Sequence, residues 1–228
     1  MGAGRLMQLI MFDIDGTLVD SAGFDAELYV EAVRSVLNVD IDSDWNAYEH
    51  VSDSGILGEV LRRIRPESEH AHLAARVQER FVALVADYLR RAPAAVHEIA
   101  GAKRLVERLL RLPNVRVGIA TGGWEPTAKL KLAHVGIGIE QLGFASSSDA
   151  SARTDIMRLA ARRALHGATF ARATYFGDGA WDRRASEELG YDFVAVGGGV
   201  AHPVAYADLR DTDAILSRLG LADVALAS

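Results

Sequence analysis

Asp13 and Asp15 are two carboxylates separated by a single residue, a type and spacing that could place both in one reactive site. They follow the apolar run 9–12, which is typical of a buried strand, and Gly16 then permits a sharp turn. Both carboxylates can therefore reach one pocket at the end of the strand, where one acts as a nucleophile or metal ligand and the other as an acid or base. The competing interpretation is an ordinary Asp-Gly turn that closes the strand.

A second apolar run, 115–121, also ends in residues suited to an anionic ligand. It finishes with Thr121, and Gly122 follows, so that a hydroxyl and flexible backbone amides are exposed at one point. Those donors suit an oxyanion such as phosphate. A glycine-rich turn in which Thr121 only caps the next helix explains the same residues.

A third run, 173–178, ends in Asp178, and Asp182 follows four residues later. Mg²⁺ prefers hard oxygen ligands, so this pair of carboxylates after an apolar strand indicates a metal site. The alternative is a plain strand end followed by an aspartate that caps a helix. Each of these motifs is modest alone, and their combination carries the functional prediction.

Basic residues near these motifs are candidate partners for an anionic substrate. Arg153 precedes the helical pattern 154–165, where a positive charge is unfavourable for the helix dipole, so an anionic partner is worth seeking. A solvated surface arginine is the alternative. Lys129 and Lys131 fall two to three turns into the helix after Thr121, and we expect both on a solvated face.

Strand-length apolar runs alternate with helical patterns over most of the chain, which favours βαβ units and a mostly parallel sheet covered on both faces. The segment 20–93 breaks this alternation, because it contains only helix-period runs. We therefore predict an α/β fold with a Rossmann-like, three-layer core domain, residues 1–19 and 94–228, and a helical cap domain, residues 20–93, inserted after the first strand. The predicted strands are 6–13, 115–121, 143–146, 173–178 and 193–196, and the predicted helices are 26–37, 55–64, 73–89, 102–112, 127–134, 154–165 and 183–189.

Polar residues inside the inserted segment are candidates for substrate recognition. His50, Ser52 and Asp53 precede an apparent helix start, and a cap over the strand ends would bring them towards a substrate's leaving group. The competing interpretation is that Ser52 or Asp53 simply caps the helix 55–64.

Composition limits the classes of partner. The net charge of −6 over 228 residues argues against nucleic acid, whose binding proteins usually carry basic patches. The chain has no cysteine, which excludes disulfides and thiolate chemistry. The longest apolar runs are strand-sized and the first residues show no signal-peptide pattern, so we expect a cytoplasmic protein without a membrane partner.

In this order, four motifs resemble those of the haloacid dehalogenase-like hydrolase superfamily: Asp-x-Asp-Gly-Thr at 13–17, the strand-end Thr121, the basic Arg153, and Gly-Asp-x-x-x-Asp at 177–182. The resemblance covers about residues 6–200, and the helical insertion stands where the superfamily has its C1 cap. One departure is that the third motif usually supplies a lysine, whereas this chain offers an arginine, which binds phosphate bidentately.

The resemblance implies a Mg²⁺-dependent phosphatase that hydrolyses a small phosphorylated metabolite through an aspartyl-phosphate. Asp13 would be the nucleophile and Asp15 the acid and base; dehalogenases of the superfamily lack this second aspartate, so phosphoryl transfer is favoured over carbon–halogen cleavage. The implied phosphate ligands are Thr121, the Gly122 amide and Arg153, and the implied metal ligands are Asp13, the Asp15 carbonyl, Asp178 and Asp182.

Other functions remain open at this point. Phosphomutases of the superfamily keep the same aspartate pair, so hydrolysis is favoured over the mutase reaction mainly by frequency. A non-catalytic module that binds a phosphorylated ligand is a further alternative, although the four aspartates are intact. A phospho-accepting signalling receiver is disfavoured, because receivers lack an insertion of this size. We expect a monomer or homodimer.

Overall fold

A fully parallel sheet of six strands forms the middle layer of the protein, in the order β3-β2-β1-β4-β5-β6. The structure is a computed structural model that describes residues 7–222, so the outermost residues of the predicted core domain lie outside it. The strands are β1 (Gln8–Phe12), β2 (Val115–Ala120), β3 (Gly143–Ala145), β4 (Arg172–Gly177), β5 (Asp192–Val196) and β6 (Ala205–Tyr206).

Strand β1 lies at the centre of the sheet and is buried on both faces. Successive side chains of a strand point to opposite faces, so Ile10 and Phe12 enter one apolar cluster while Leu9 and Met11 enter the other. All four are fully buried. This is why the strand reads as an uninterrupted apolar run rather than an alternating one.

Helices cover both faces of the sheet and complete the predicted three-layer arrangement. Buried leucines of α4 and α5 join the cluster of Ile10, and α8 adds Ile215 to it. Alanines of α6 and α7 join the opposite cluster around Met11. The α/β fold class is therefore confirmed. These helices are α4 (Ala102–Leu110), α5 (Glu125–His134), α6 (Arg153–Leu165), α7 (Ala180–Leu189) and α8 (Thr212–Arg218).

The segment between β1 and α4 forms a helical cap, as predicted. Its helices are α1 (Ala22–Leu37), α2 (Asp53–Ile64) and α3 (Glu67–Arg91), with a short 3-10 turn at Trp45–Ala47. Helix α3 packs against α1, α2 and α5. It buries one residue in every four along a single stripe, as a helix at 3.6 residues per turn requires: Leu73, Val77, Phe81, Val85 and Leu89.

The two chain segments that connect the cap to the sheet pair with each other. The Asp20 N–H donates to the His97 carbonyl, and the Ile99 N–H donates to the Leu18 carbonyl, both at 2.9 Å. The proposed boundary at 19/20 falls within this pairing, and the one at 93/94 falls a few residues before it. We retain 20–93 as the proposed cap domain.

The topology brings the predicted motifs to one edge of the sheet. The chain runs from β1 outwards through β2 and β3 on one side, and returns to β4 on the other side of β1. Phe12 is level with Ile119 of β2 and with Phe176 of β4, so the residues that follow these strands emerge together. Such a switch point leaves a crevice at the carboxyl ends of the strands, where ligands bind in α/β sheets. Of the helices within residues 7–222, not one combines the length and the apolar character that crossing a membrane requires.

Candidate active site

Three carboxylates meet in the crevice between β1 and β4. Asp13 follows β1, Asp178 follows β4, and Asp182 lies in the first turn of α7. Oxygen atoms from the three side chains all lie within 4.8 Å of one another. The main chain holds two of these residues in place: the Asp13 N–H donates to the Phe176 carbonyl at 2.9 Å, and Asp182 Oδ2 accepts the Gly179 N–H at 3.2 Å.

These carboxylates fit a divalent cation. Asp182 is fully buried, and its Oδ1 accepts no hydrogen bond. Burial, together with the charges of Asp182 and Asp15, raises the pKa of Asp178 to about 7. Burial likewise raises the pKa of Asp13, which Arg153 lowers only in part. The cluster therefore has an excess of negative charge that a Mg²⁺ ion bound by carboxylate oxygens would neutralise.

Arg153 is buried against two of these aspartates. Its Nη1 donates to Asp13 Oδ1 at 3.1 Å, and its Nε lies 3.4 Å from Asp182 Oδ1. Burial alone would lower the pKa of Arg153, but the charges of Asp182 and Asp13 raise it, so the guanidinium stays charged. A Cβ on Gly122 would lie 2.7 Å from Arg153 Nη2, so a larger residue here would displace the guanidinium. The guanidinium thus stands beside the predicted nucleophile.

Thr121 and Gly122 line the same cavity as Asp13. The Thr121 hydroxyl is buried and accepts the Gly123 N–H at 3.2 Å, which fixes the turn after β2. The Gly122 carbonyl accepts the Asp53 N–H at 2.8 Å, so the cap holds this turn from above. Both predicted phosphate ligands therefore lie in the lining of the cavity that contains Asp13.

Asp15 is hydrogen-bonded to Lys131, a residue that the sequence analysis did not connect with the site. Its Oδ1 accepts hydrogen bonds from the Ser21 hydroxyl and from Lys131 Nζ, the latter at 2.6 Å. Lys131 Nζ also donates to Asp25 Oδ1 at 2.7 Å. Asp15 Oδ1 therefore accepts two hydrogen bonds, which fix the orientation of this carboxylate.

The prediction that Lys131 lies on a solvated face is wrong, whereas Lys129 is exposed as expected. The Lys131 side chain is 0 % exposed. It shares the buried face of α5 with Thr127, Ala128 and Leu132. Burial would lower its pKa, but the carboxylates of Asp15 and Asp25 raise it, so the ammonium remains charged.

The cap residues chosen from the sequence separate into two groups. Ser52 and Asp53 line the cavity over Asp13, whereas His50 lines a neighbouring cavity beside Glu49. Ser52 caps α2 by accepting the Gly55 N–H at 3.2 Å, and its hydroxyl donates to the Ser151 carbonyl at 2.7 Å. The capping interpretation therefore describes Ser52, and the substrate contact proposed for His50 stays a prediction.

The cavity between cap and sheet has a volume of about 170 Å³. Besides the predicted residues, it is lined by Asp25 and by three aromatic rings, those of Tyr29, Trp45 and Trp181. Sequence reasoning missed Asp25, Tyr29 and Trp45, because helical residues of a cap look alike until the fold shows which of them face the strand ends. Lys131 carried a usable signal, since it interrupts the apolar face of its helix.

The raised pKa values make the metal-free protein more stable at pH 6 than at pH 8. A carboxyl whose pKa is raised in the folded state binds its proton more tightly there than in the unfolded chain, so stability is lost as the pH rises. For Asp178, this loss runs from the unfolded-state pKa of 3.8 to the folded-state pKa of about 7. We expect the free energy of unfolding to fall by about 1–2 kcal/mol from pH 6 to pH 8. Denaturant unfolding without divalent ions measures this difference.

The Asp178→Asn variant is expected to lose the part of this pH dependence that Asp178 contributes. Mg²⁺ is expected to raise the wild-type melting temperature more at pH 8 than at pH 6. Asp40→Asn, at an exposed aspartate of the cap segment, is the matched control. An unchanged pH dependence in Asp178→Asn would contradict the electrostatic account of the cluster.

A parallel α/β sheet with a carboxylate cluster at its switch point, covered by a helical cap, defines a class of capped α/β enzymes. Residues 7–190 match the family model described as haloacid dehalogenase-like hydrolase. The chain therefore belongs to the haloacid dehalogenase-like hydrolase family, as the motifs predicted.

A curated relative aligns with most of the chain. Tyrosine-protein kinase PtkA of Mycobacterium tuberculosis is 31% identical over 208 residues, which cover 86% of this chain and 64% of that protein. The chain thus spans just under two thirds of the length of this curated relative.

Three solved structures share the fold. A hydrolase from Pseudomonas syringae has a TM-score of 0.70 at 21% identity and covers 94% of this chain and 99% of its own. CbbY from Rhodobacter sphaeroides, in complex with phosphate, has a TM-score of 0.68 at 19% identity, covering 90% and 96%. The β-phosphoglucomutase of Clostridium difficile has a TM-score of 0.70 at 16% identity, covering 94% and 98%.

Proposed function

We propose that the protein is a Mg²⁺-dependent phosphatase that hydrolyses a small phosphorylated metabolite through an aspartyl-phosphate. The observation that carries this proposal is the arrangement around Asp13: its carboxylate lies beside the Arg153 guanidinium and within 4.8 Å of two further carboxylates. A nucleophilic carboxylate, a fixed cation for phosphoryl oxygens and a cation site are the parts that phosphoryl transfer requires.

In the first step, an oxygen of Asp13 attacks phosphorus and the bond from phosphorus to the leaving oxygen breaks. Asp15 Oδ2 gives its proton to that oxygen, so that an alcohol leaves. In the second step, Asp15 takes a proton from a water molecule as that water attacks phosphorus. The bond between phosphorus and Asp13 then breaks, which releases phosphate and restores both carboxyl groups.

The other residues of the site bind and orient. Arg153, Thr121 and the Gly122 amide are proposed to bind the phosphoryl oxygens and to stabilise the charge that they gain in the transition state. Asp13, the Asp15 carbonyl, Asp178 and Asp182 are proposed to hold Mg²⁺. When bound, this ion offsets the repulsion between the aspartates and a phosphate dianion.

An aryl phosphate assay with Mg²⁺ and with EDTA tests the proposal. We expect release of inorganic phosphate only with the divalent ion, because without it the carboxylates repel the substrate. Turnover that persists in EDTA would contradict the metal-dependent mechanism. Isomerisation of a sugar monophosphate without release of phosphate would instead identify a phosphomutase, and binding without any turnover would identify a non-catalytic module.

Because a curated relative is named as a tyrosine kinase, the assay also needs a test for phosphoryl transfer to tyrosine. With ATP and Mg²⁺, we expect phosphate release or no reaction, and no phosphotyrosine on the protein or on added tyrosine-containing substrates. Formation of phosphotyrosine would overturn the phosphatase proposal in favour of transfer to tyrosine.

A further inference from the structure

The cap side of the cavity is acidic and offers no uncommitted cation among the described residues that line it. Arg153 is the single basic side chain in the lining, and it already contacts Asp13 and Asp182. Lys131 is buried outside the cavity lining and forms ion pairs with both Asp15 and Asp25. A phosphoryl group beside Asp13 would occupy Arg153, so its leaving group would extend towards carboxylates alone. Five aspartates line the cavity: Asp13, Asp15, Asp25, Asp53 and Asp178.

The Asp53 carboxylate stands close to the place where the leaving oxygen must be protonated. A Cβ built on Gly123 would lie 3.7 Å from Asp15 Oδ2 and 4.0 Å from Asp53 Oδ2, so the two oxygens flank the same point. Asp53 Oδ2 also accepts the Trp124 N–H at 2.8 Å, which fixes its direction. A group one or two bonds beyond the leaving oxygen would therefore meet this carboxylate.

Aromatic rings from the cap and from α7 also line the cavity. Tyr29 and Trp45 line the cavity and meet edge to face, with ring centroids 6.2 Å apart and planes at 80°. Trp181 lines the cavity from the start of α7. The faces of aromatic rings attract ammonium groups, and adjacent carboxylates add a direct ionic partner. Burial and the charge of Asp25 raise the pKa of Asp53, and a positive charge nearby would offset both effects.

We propose that the cap side of the cavity selects phosphate monoesters of small amino alcohols, in which the leaving group carries an ammonium, and rejects esters that carry a second phosphate or a carboxylate there. This selectivity rests on the proposed phosphatase function. A cavity of about 170 Å³ between cap and sheet suits a small leaving group. Aspartate and aromatic side chains stabilise the ammonium, whereas a second anion would face Asp25 and Asp53 with no cation beyond Lys131, which Asp15 and Asp25 already share.

The neighbouring cavity does not supply the missing cation. It has a volume of about 420 Å³, and besides Arg153, which already contacts Asp13 and Asp182, it is lined by the basic His50 and Arg184 and by the acidic Glu49 and Glu188. Apart from Arg153, its basic side chains do not outnumber its acidic ones, so an anionic leaving group that reached it would gain no net attraction.

Three esters of nearly equal size test the selectivity: phosphoethanolamine, 2-hydroxyethyl phosphate and phosphoglycolate, which carry an ammonium, a hydroxyl and a carboxylate. We expect kcat/KM for phosphoethanolamine to exceed that for 2-hydroxyethyl phosphate by at least about tenfold, and that for phosphoglycolate by about 100-fold, because each replaced charge changes an ionic contact in a confined site. Equal values for the three esters, or a preference for phosphoglycolate, would overturn the proposal.

Two variants locate the selectivity. In Asp53→Asn, which keeps an oxygen for the Trp124 N–H, we expect the ratio between phosphoethanolamine and 2-hydroxyethyl phosphate to fall to about threefold or less. The Asp40→Asn variant, at an exposed aspartate of the cap segment, should keep the wild-type ratio. If Asp53→Asn also keeps it, Asp53 does not recognise the ammonium and the proposal fails.

Binding separates this proposal from the phosphatase function. Calorimetric titration of the Asp13→Asn protein with each ester, in the presence of Mg²⁺, reports selectivity without turnover. The amino ester bound most tightly, with no hydrolysis by the wild type, would uphold the selectivity and overturn the phosphatase function. Hydrolysis of all three esters at equal rates, with equal binding, would do the opposite.

Discussion

Replacing Asp13 with Asn is expected to lower kcat for an aryl phosphate by at least about 10⁴-fold, because the amide cannot attack phosphorus and no other nucleophile lies in its place. Asn keeps the size of the side chain and an oxygen for the hydrogen bond from Arg153. The fold should therefore persist, and circular dichroism and thermal unfolding check that it does. Steady-state phosphate release measures the loss.

The Asp15→Asn variant separates the roles of the two aspartates. An aryl leaving group needs little protonation, so Asp13 should still be phosphorylated, whereas hydrolysis of the aspartyl-phosphate requires Asp15 as a base. We expect steady-state turnover to fall by about 10²–10⁴-fold while a phosphoenzyme accumulates, which rapid acid quenching and mass spectrometry detect. No phosphoenzyme should form in Asp13→Asn.

Asp20→Asn is the matched control for both variants, since Asp20 is a nearby aspartate with an exposed side chain. It should retain wild-type turnover. Appreciable turnover in Asp13→Asn, or label on a residue other than Asp13 in the phosphoenzyme, would contradict the assignment of the nucleophile.

The sheet and the aspartate cluster were readable from the sequence because strand ends leave a strong local pattern. An apolar run that stops at Asp13 or at Asp178 records burial on both faces of a central strand, followed by a change from apolar to carboxylate side chains at the strand end. Strand β6 and helix α8 were not predicted. Two residues of strand and seven of helix are too short to establish a period, so the fold rather than local pattern decides their conformation.

The sequence predicted that the cap is helical, but not which of its residues face the active site. Periodicity shows that α1 has a buried face, yet it does not show which exposed residue will lie over the strand ends. Asp25 and Tyr29 stand one turn apart on α1, which packs on α3, and both line the cavity. His50 shows the same limit: its position near a helix start did not indicate that its side chain lines the neighbouring cavity.

Replacing Lys131 with Met is expected to destabilise the protein by about 3–5 kcal/mol at pH 8, because it leaves the carboxylates of Asp15 and Asp25 near each other without their shared cation. Met matches the length of the lysine stem, so packing is nearly preserved. Lys129→Met, two residues away on the exposed face of the same helix, should change stability by less than about 1 kcal/mol. Denaturant unfolding compares the two.

The loss should shrink at lower pH. Burial, with the charge of Asp15, raises the pKa of Asp25 to about 6 even in the presence of Lys131. A raised carboxyl pKa means that the folded protein takes up a proton more readily than the unfolded chain, so acidification relieves the repulsion that the variant creates. We expect the destabilisation by Lys131→Met to be smaller at pH 5.5 than at pH 8. An equal loss at both values would mean that packing, rather than charge, accounts for it.

The double variant Lys131→Met with Asp25→Asn distinguishes a structural from a positioning role. Removing one of the two carboxylates takes away much of the repulsion, so most of the stability should return. We expect turnover to be reduced in both the single and the double variant, because Asp15 Oδ1 lacks the Lys131 hydrogen bond in each. That hydrogen bond fixes which Asp15 oxygen faces the leaving group in the proposed mechanism. A double variant with wild-type stability and wild-type kcat would show that Lys131 only balances Asp25. A stable protein with kcat still reduced at least about tenfold would assign it the positioning of the proposed acid and base.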